Sequence, residues 1–293
     1  MKHSKISTET ASFLSIRHFA YVLTGLLLAG LFFPIKAAAQ GDLLITPRRI
    51  VFDGKKRTRE INLANNGNDT ATYMISFKQY RMLEDGSFEE ITDPDPGQFF
   101  ASDHLRFFPR SVTLAPKEAQ IVKLQLSKTK NLPEGEYRSH IYFRAVPKPV
   151  PLGEKDKNKD TTNISIRLTP IFGITIPVIF RIGNTSAEVT LTDLSLDPGD
   201  SENPKLNITF NRTGNQSVYG NLKVEHVAPD GTVTEVGIVK GIAVYTPNNK
   251  RNFQMTLDNS KDVDYKNGKL VVTYIEASDV NATTMAEAEL TLH

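Results

Sequence analysis

The side chains that most often carry catalysis are few in this sequence, and they are scattered. Beyond residue 40, histidine occurs only at His104, His140, His226 and His293, and no two of these have the spacing of metal ligands. The chain has no cysteine, and it contains no glycine-rich phosphate loop, zinc-protease motif or nucleophile elbow. We therefore predict no catalytic residue, no metal site, no cofactor and no enzymatic activity.

The remaining candidates for acid–base chemistry have simpler interpretations. Asp93 and Asp95 lie close together, but each is followed by proline, and both residue types favour turns, so we interpret them as an acidic turn. His140 falls within a run of alternating residues, where we expect it to be half-buried or at the surface. Binding is therefore a better prediction than catalysis.

Two adjacent arginines, Arg48 and Arg49, precede an apolar run within residues 46–54 (TPRRIVFDG). Neighbouring side chains on a strand point to opposite faces, so one arginine could face inward, toward a cleft between two sandwiches. A buried guanidinium needs an anion, and a carboxylate fits its planar set of donors. The alternative is that both arginines are surface charges, as most are.

A strictly alternating run follows a long polar loop at residues 147–162. Ile164, Ile166 and Leu168 alternate with Ser165, Arg167 and Thr169, so one face of the predicted strand is wholly aliphatic. In a complete sandwich such a face points into its own core. Alternatively, the strand lies at an open edge and offers this face to a strand of another protein.

Short alternating runs separated by turn residues extend along the chain, without a convincing amphipathic helix. In the first half, we predict strands at residues 43–52, 59–63, 71–81, 88–91, 105–108, 111–114, 119–126, 137–146 and 163–181. Pro47 breaks the first of these runs and confines it to an edge or a bend, and the last strand bends at Pro170 or Gly173. In the second half, we predict strands at residues 188–194, 205–211, 219–227, 232–239, 251–257, 269–276 and 286–293. This pattern predicts an all-β protein with two tandem immunoglobulin-like β-sandwich domains, at residues 40–182 and 183–293.

Residues 1–39 have the features of a secretory signal peptide. A basic start precedes the apolar run of residues 19–35, and Ala37–Ala39 provides the small residues of a cleavage site, which would leave Gln40 first. An uncleaved membrane anchor is the alternative. Four basic side chains and one acidic side chain leave with this segment, so the net charge falls from +2 to −1. We predict a periplasmic protein that binds no nucleic acid and has no stable membrane insertion after cleavage.

The first half of the chain resembles the PapD-like periplasmic chaperones of pilus assembly, in motif order and spacing from Leu43 to Arg181. The second half matches that family only in size and strand content. The matching stretches are residues 49–54 (RIVFDG), 114–124 (LAPKEAQIVKL), 132–138 (LPEGEYR), 141–144 (IYFR) and the loop and strand that end at Phe180 and Arg181.

The resemblance implies a chaperone that stabilises pilus or fimbrial subunits by donor-strand complementation, for delivery to an outer-membrane usher. By motif position, Ile164, Ile166 and Leu168 would be the donor residues, and Arg49 would bind the subunit's C-terminal carboxylate. The chain departs from the family pattern in one respect. The family has a lysine in the last strand beside the arginine, whereas no lysine or arginine lies between Leu168 and Phe180, and Pro170, Gly173 and Thr175 lie around the expected place. A two-domain adhesion or scaffold module of the cell envelope is the alternative.

Overall fold

β-Strands account for nearly all of the regular structure in a computed structural model, which describes residues 42–54, 56–147, 170–197, 204–260, 263–278 and 282–293. The first eleven strands are β1 (Leu43–Thr46), β2 (Ile50–Phe52), β3 (Thr58–Asn65), β4 (Ala71–Lys78), β5 (Tyr80–Met82), β6 (Phe88–Glu90), β7 (Leu105–Phe108), β8 (Ser111–Leu114), β9 (Ala119–Leu126), β10 (Gly135–Val146) and β11 (Gly173–Ile182). The other seven are β12 (Ala187–Asp197), β13 (Lys205–Gly214), β14 (Val218–Val227), β15 (Val233–Val244), β16 (Lys250–Thr256), β17 (Lys269–Glu276) and β18 (Thr284–Thr291).

The first sandwich consists of a sheet in the order β1-β3-β9-β7 and a sheet in the order β2-β11-β10-β4-β8. All of its strand pairs are antiparallel except that of β2 with β11. Residues at alternate positions of each strand fill one core between the sheets, as in β3, where Ile61 and Leu63 are fully buried between exposed neighbours. The alternation in the sequence therefore predicted most strands of this half. The predicted strand over residues 163–181 is an exception, because β11 begins only at Gly173, residues 170–172 are not in a strand, and residues 163–169 lie outside the described residues.

The second sandwich consists of a sheet in the order β12-β13-β16 and a sheet in the order β15-β14-β17-β18. Its separate core includes Leu206, Phe210, Leu222 and Tyr274, all fully buried. The predicted all-β fold with two immunoglobulin-like sandwiches is thus confirmed. Among the described residues, no helix combines the length and the apolar character needed to cross a membrane.

The chain changes sheets between β1 and β2. β1 pairs with β3 in one sheet, whereas β2 pairs with β11 in the other, and Arg48 and Arg49 form the bend that connects them. Pro47 ends β1, because it cannot donate a hydrogen bond to the ladder, so the predicted break of the run at this proline is confirmed. The expectation that the two arginines lie on a strand is wrong. Strand alternation consequently does not decide where the two arginine side chains point.

β10 is buried on both faces over Gly135–Ile141, although its sequence predicts one exposed face. Tyr137 and Ile141 lie in the core of the first sandwich, while the opposite face is covered by the β5–β6 hairpin and the second sandwich. His140 lies on this opposite face and is only 4% exposed. Our expectation of a half-buried or surface His140 was wrong, because a strand sequence does not reveal that a second sandwich covers its polar face.

The β5–β6 hairpin connects the two sandwiches. Its turn at Asp85 and Gly86 was predicted from the sequence, and the Asp85 side chain accepts a hydrogen bond from Ser87 N–H (2.8 Å). The hairpin contacts β16 through a hydrogen bond of 2.6 Å from Asn252 N–H to the Glu84 carbonyl oxygen. A Cβ atom on Gly86, whose φ is +83°, would lie 2.5 Å from the Arg251 side chain, so this contact requires glycine.

Core burial predicts how two leucines of the first sandwich differ in their contribution to stability. Leu63 in β3 is fully buried, whereas Leu44 in the neighbouring β1 is 44% exposed. Leu63→Ala should lower the free energy of unfolding by about 2–5 kcal/mol, because it leaves a cavity, and Leu44→Ala should cost less than half as much. Urea denaturation of both variants measures this difference, and equal losses would contradict the assigned core.

Candidate functional site

The residues predicted to bind a partner fall into two groups in the structure. The predicted donor residues Ile164, Ile166 and Leu168 lie outside the described residues, as does the predicted signal segment, residues 1–39. Arg49 is described, as is the strand β11, which begins at Gly173. The described part of the candidate site therefore consists of β11, the bend that carries Arg49, and the parts of the second sandwich that contact that bend.

The first half of β11 has a free edge. β10 pairs with β11 along its whole length, but β2 pairs only with Val178–Phe180 on the other side. The Phe172 carbonyl oxygen accepts a hydrogen bond from Ala145 N–H (2.9 Å), so the backbone groups of Gly173 and Thr175 point to the opposite edge. In the part of the chain that the structure describes, no strand pairs with that edge, and it is available for another strand.

An apolar face accompanies this free edge. Ile174 and Ile176 lie at alternate positions of β11 and so share one face, and their exposed fractions are 41% and 2%. Phe172, which directly precedes the strand, is 58% exposed. Only Ile176 is enclosed by the core of its own sandwich. The apolar face of the strand therefore extends beyond the core and becomes accessible to solvent toward Phe172.

A cleft of about 290 Å³ lies between this part of β11 and β1. It is lined by Leu43, Leu44, Ile45, Arg48, Ile174, Thr175 and Ile176. β1 is the edge strand of its own sheet, so two strand edges from different sheets border the same apolar cleft. This opening on one side of the first sandwich can accommodate additional apolar side chains.

Arg49 projects toward two tyrosines of the second sandwich. Its Cζ lies 4.5 Å from the centre of the Tyr219 ring and 5.3 Å from that of Tyr245. Arg49 Nη1 also donates a hydrogen bond of 2.8 Å to the Tyr245 hydroxyl oxygen. Burial raises the pKa of Tyr245 above its ordinary value, so this hydroxyl remains protonated at neutral pH.

The register of β2 on β11 shows which residue lies beside Arg49. Ile50 pairs with Val178, and the same register continued by one step would match Arg49, in the bend, with Pro177. From the sequence, we expected the position of the missing second basic residue around Pro170, Gly173 and Thr175. The register indicates Pro177 instead. Proline carries no charge and no N–H group, so the strand provides Arg49 with no second cation at this point.

Arg49 and Arg181 line a second cleft, of about 420 Å³, together with Ser217, Tyr219 and Glu276. The charge of Arg181 is compensated, because its Nε and Nη2 donate to a carboxylate oxygen of Glu136 at 3.0 and 2.9 Å. Within the described residues, Arg49 forms no ion pair. It is therefore the basic side chain of this cleft with an available charge.

Glu136 joins the two sandwiches. Its side chain is fully buried, and besides Arg181 it accepts hydrogen bonds from the Ser217 backbone N–H (3.1 Å) and from the Ser217 hydroxyl. The Ser217 oxygen in turn accepts a hydrogen bond from Thr246 N–H (3.2 Å). The carboxylate of the first sandwich is thus satisfied by donors from both sandwiches, which makes its burial tolerable.

Arg138 lies behind Tyr245 and is almost fully buried. Its Nη2 donates to the carbonyl oxygens of Tyr80 (3.2 Å) and Thr246 (3.3 Å), and its Cζ lies 4.5 Å from the centre of the Tyr245 ring. Burial lowers the pKa of Arg138, and the nearby charge of Arg49 acts in the same direction. Tyr245 therefore lies between two guanidinium groups.

Three residues of this site could not be recognised from the sequence, namely Tyr219, Tyr245 and Glu136. Tyr219 begins a predicted strand, Tyr245 lies beyond the end of one, and both are far from Arg49 along the chain. Glu136 was included in a family motif without a role of its own. Within the described ranges, no group of three or more histidine and acidic side chains could hold a metal ion.

Comparisons with known proteins give similarities only among solved structures. No family model matches the chain, and no curated protein matches it. The YadV chaperone is 14% identical, with 86% of this chain and 100% of that chain covered and a TM-score of 0.41. The CupB2 chaperone of Pseudomonas aeruginosa is 12% identical, with 85% and 100% covered and a TM-score of 0.41. The CsuC–CsuE chaperone–tip adhesion subunit complex of Acinetobacter baumannii gives 13% identity, 86% and 99% coverage and a TM-score of 0.41.

Glu136 provides a direct test of how the two sandwiches are held together. Glu136→Gln removes the charge that compensates Arg181 and should lower the free energy of unfolding by about 3 kcal/mol, the low end for a broken buried pair, because Arg181 keeps some access to water. Glu134→Gln is the matched control, since Glu134 is exposed two residues away. Urea denaturation measures both variants, and equal stability would show that the buried carboxylate does not stabilise the protein.

The burial of His140 predicts that the protein loses stability in mild acid. Burial, assisted by the charges of Arg138 and Arg49, lowers the pKa of His140 to about 3. The unfolded chain binds this proton near pH 6.5, so stability is complete above that pH and decreases as the pH falls toward 3. Between about pH 7.5 and about pH 4.5, His140 should account for a loss of about 2–3 kcal/mol.

Urea denaturation at both pH values measures the effect. His140→Phe should remove this part of the pH dependence, whereas His293→Phe, at an exposed position, should retain it. An unchanged pH dependence in His140→Phe would contradict the assigned burial.

Proposed function

We propose that this chain is a periplasmic chaperone of the PapD-like family, which binds pilus or fimbrial subunits by donor-strand complementation. In this mechanism, a subunit that lacks one strand of its own sandwich pairs with a strand of the chaperone. The chaperone then delivers the subunit to an outer-membrane usher. The chain acts by binding, without catalysis and without a cofactor.

The free edge of β11 carries this proposal. Unpaired N–H and C=O groups at Gly173 and Thr175 lie next to the exposed side chains of Phe172 and Ile174. Natural proteins usually cover such an edge, because it invites aggregation. An edge that remains open, with an apolar face beside it, fits a strand that completes the sheet of another protein.

The sequence before Phe172 extends the same pattern. Ile164, Ile166 and Leu168 occupy the even positions shared by Phe172, Ile174 and Ile176, and we assign them as the donor residues. Burial of three such side chains contributes about 5–9 kcal/mol, before the cost of association is subtracted. This range is large enough to stabilise an incomplete subunit.

Arg49 gives the bound strand its register. A subunit that ends next to Pro177 would place its C-terminal carboxylate at the Arg49 guanidinium, which has no ion partner among the described residues. Hydrogen bonds to charged groups contribute about 1.5–3 kcal/mol, so a strand shifted by two residues would lose this contribution.

The remaining assignments follow from the same proposal. Residues 1–39 act as a cleaved signal peptide, residues 40–182 form the domain that holds the donor strand, and residues 183–293 form the second domain. The cysteine-free composition is compatible with folding in the periplasm, since no disulfide is needed.

Charged substitutions on the donor face test the function. Ile164→Asp combined with Ile166→Asp should abolish co-purification with a co-expressed pilin-like subunit from the same organism, because two carboxylates would have to enter an apolar groove. The matched control is Ser165→Asp combined with Thr169→Asp, which adds the same charge on the opposite face. Co-purification should survive in this control.

Mass spectrometry of the material captured from the periplasm identifies the bound subunit. Capture by the Ile164 and Ile166 variant at the wild-type level would reject strand donation. An adhesion or scaffold module would then be the better assignment, since it would bind through surfaces that these substitutions do not reach.

A further inference from the structure

Arg49 must recognise a carboxylate without a second cation beside it. A free arginine side chain loses rotamer entropy when it is fixed, which weakens recognition by a single flexible side chain. Pro177, which directly precedes the residues of β11 that pair with β2, carries no charge, and Arg181 is neutralised by Glu136. A contact that fixes the guanidinium before binding would therefore strengthen recognition by this single cation.

Two tyrosines of the second sandwich meet this requirement. The Tyr219 ring, in β14, lies 4.5 Å from Arg49 Cζ, within the distance at which a guanidinium is attracted to an aromatic face. The Tyr245 hydroxyl, just after β15, accepts a hydrogen bond of 2.8 Å from Nη1. A ring face together with a directed hydrogen bond fixes both the position and the plane of the guanidinium.

Tyr245 is itself held in one position. It is 5% exposed, and its ring lies 4.5 Å from Arg138 Cζ on one side. The rings of Phe88 and His140 lie near it, with centroid distances of 6.1 and 6.4 Å. The hydroxyl group is therefore a fixed acceptor for Arg49.

The geometry leaves donors of Arg49 available. In the described part of the chain, Arg49 donates its only recorded hydrogen bond to Tyr245, and a guanidinium carries five N–H groups. The cleft that Arg49 and Tyr219 line holds about 420 Å³. A chain-terminal carboxylate can therefore reach donors that are already oriented.

We propose that Tyr219 and Tyr245 are positioning residues, which hold the Arg49 guanidinium in the orientation that binds a subunit's C-terminal carboxylate. They lower the entropy cost of fixing the single guanidinium, and through them the second sandwich takes part in recognising the end of the bound chain. This inference rests on the proposed function, and it adds a role for the domain that carries no donor strand.

The test compares two synthetic peptides of alternating valine and threonine, one with a free C-terminal carboxylate and one with a C-terminal amide. Each carries a fluorescent label at its N-terminus, and fluorescence anisotropy gives its affinity for the full chain. The wild-type protein should bind the carboxylate peptide about tenfold to a hundredfold more tightly, as expected for a charge-assisted hydrogen bond. Arg49→Ala should bind the two peptides equally.

Tyr245→Phe removes only the hydroxyl group. It should lower the preference for the carboxylate peptide about threefold to tenfold and leave the affinity for the amide peptide unchanged, because one neutral hydrogen bond that orients Arg49 is lost. A merely structural role would weaken the binding of both peptides. Tyr265→Phe is the matched control, since it removes a hydroxyl that donates to the Asp258 carbonyl oxygen (2.7 Å) away from Arg49, and it should retain the preference.

Tyr219 should act through its ring face and not through its hydroxyl group, so a different substitution tests it. Tyr219→Phe keeps the ring face and should retain the preference for the carboxylate peptide, whereas Tyr219→Leu removes the face and should lower it. The Nε–Hε signal of Arg49 in NMR spectra is an independent measure, because it should lose the ring-current shift in Tyr219→Leu and keep it in Tyr219→Phe.

Two outcomes would overturn the inference, and they differ from each other. If the wild-type protein prefers the carboxylate peptide and Tyr245→Phe keeps the full preference, the tyrosine does not position Arg49, while the carboxylate site stands. If the wild-type protein binds both peptides equally, the Arg49 site and the positioning role are both rejected. Strand donation would then still be decided by the aspartate variants at Ile164 and Ile166.

Discussion

Backbone N–H and C=O groups in a sheet require partners, and in this protein one strand has partners on both sides over only part of its length. β11 is an interior strand from Val178 to Phe180, where β2 lies beside it, and an edge strand before Val178. The change occurs where the chain leaves the first sheet at Pro47 and enters the second at Ile50. A short β2 therefore creates the free edge, and the exposed Phe172 and Ile174 make it attractive to an apolar partner.

The same change of sheets places Arg49 where the free edge ends. The bend directs Arg49 to the second sandwich, where Tyr219 and Tyr245 receive it. Glu136 links the sandwiches nearby, through Arg181 on one side and Ser217 on the other. The second sandwich thus covers the polar face of β10 and lines the cleft that contains Arg49 and Arg181. The first sandwich provides the free strand edge. In the proposed function, each sandwich therefore contributes a different part of the surface that binds the subunit.

The sequence predicted the strands well, because a strand with one buried face has a period of two, as Ile61 and Leu63 show. It could not predict what covers the other face. His140 is polar and alternates correctly, but it is buried because the hairpin and the second sandwich lie over it. Arg49 could be singled out from its type and its apolar neighbours. Tyr219 and Tyr245 could not, because contacts between residues far apart in the chain leave no local pattern, and the bend at Pro47 removed the alternation that the arginine argument used.

Hydrogen exchange at individual amides of β11 tests the free edge most directly. The Gly173 and Thr175 amides point away from β10, whereas those of Ile174 and Ile176 point toward it. In the free protein, the first two should exchange rapidly and the second two slowly. Addition of a pilin-like subunit should protect Gly173 and Thr175 and leave the other two unchanged. Protection of Gly173 and Thr175 in the free protein, or rapid exchange that persists in the complex, would contradict a strand that completes the fold of its partner.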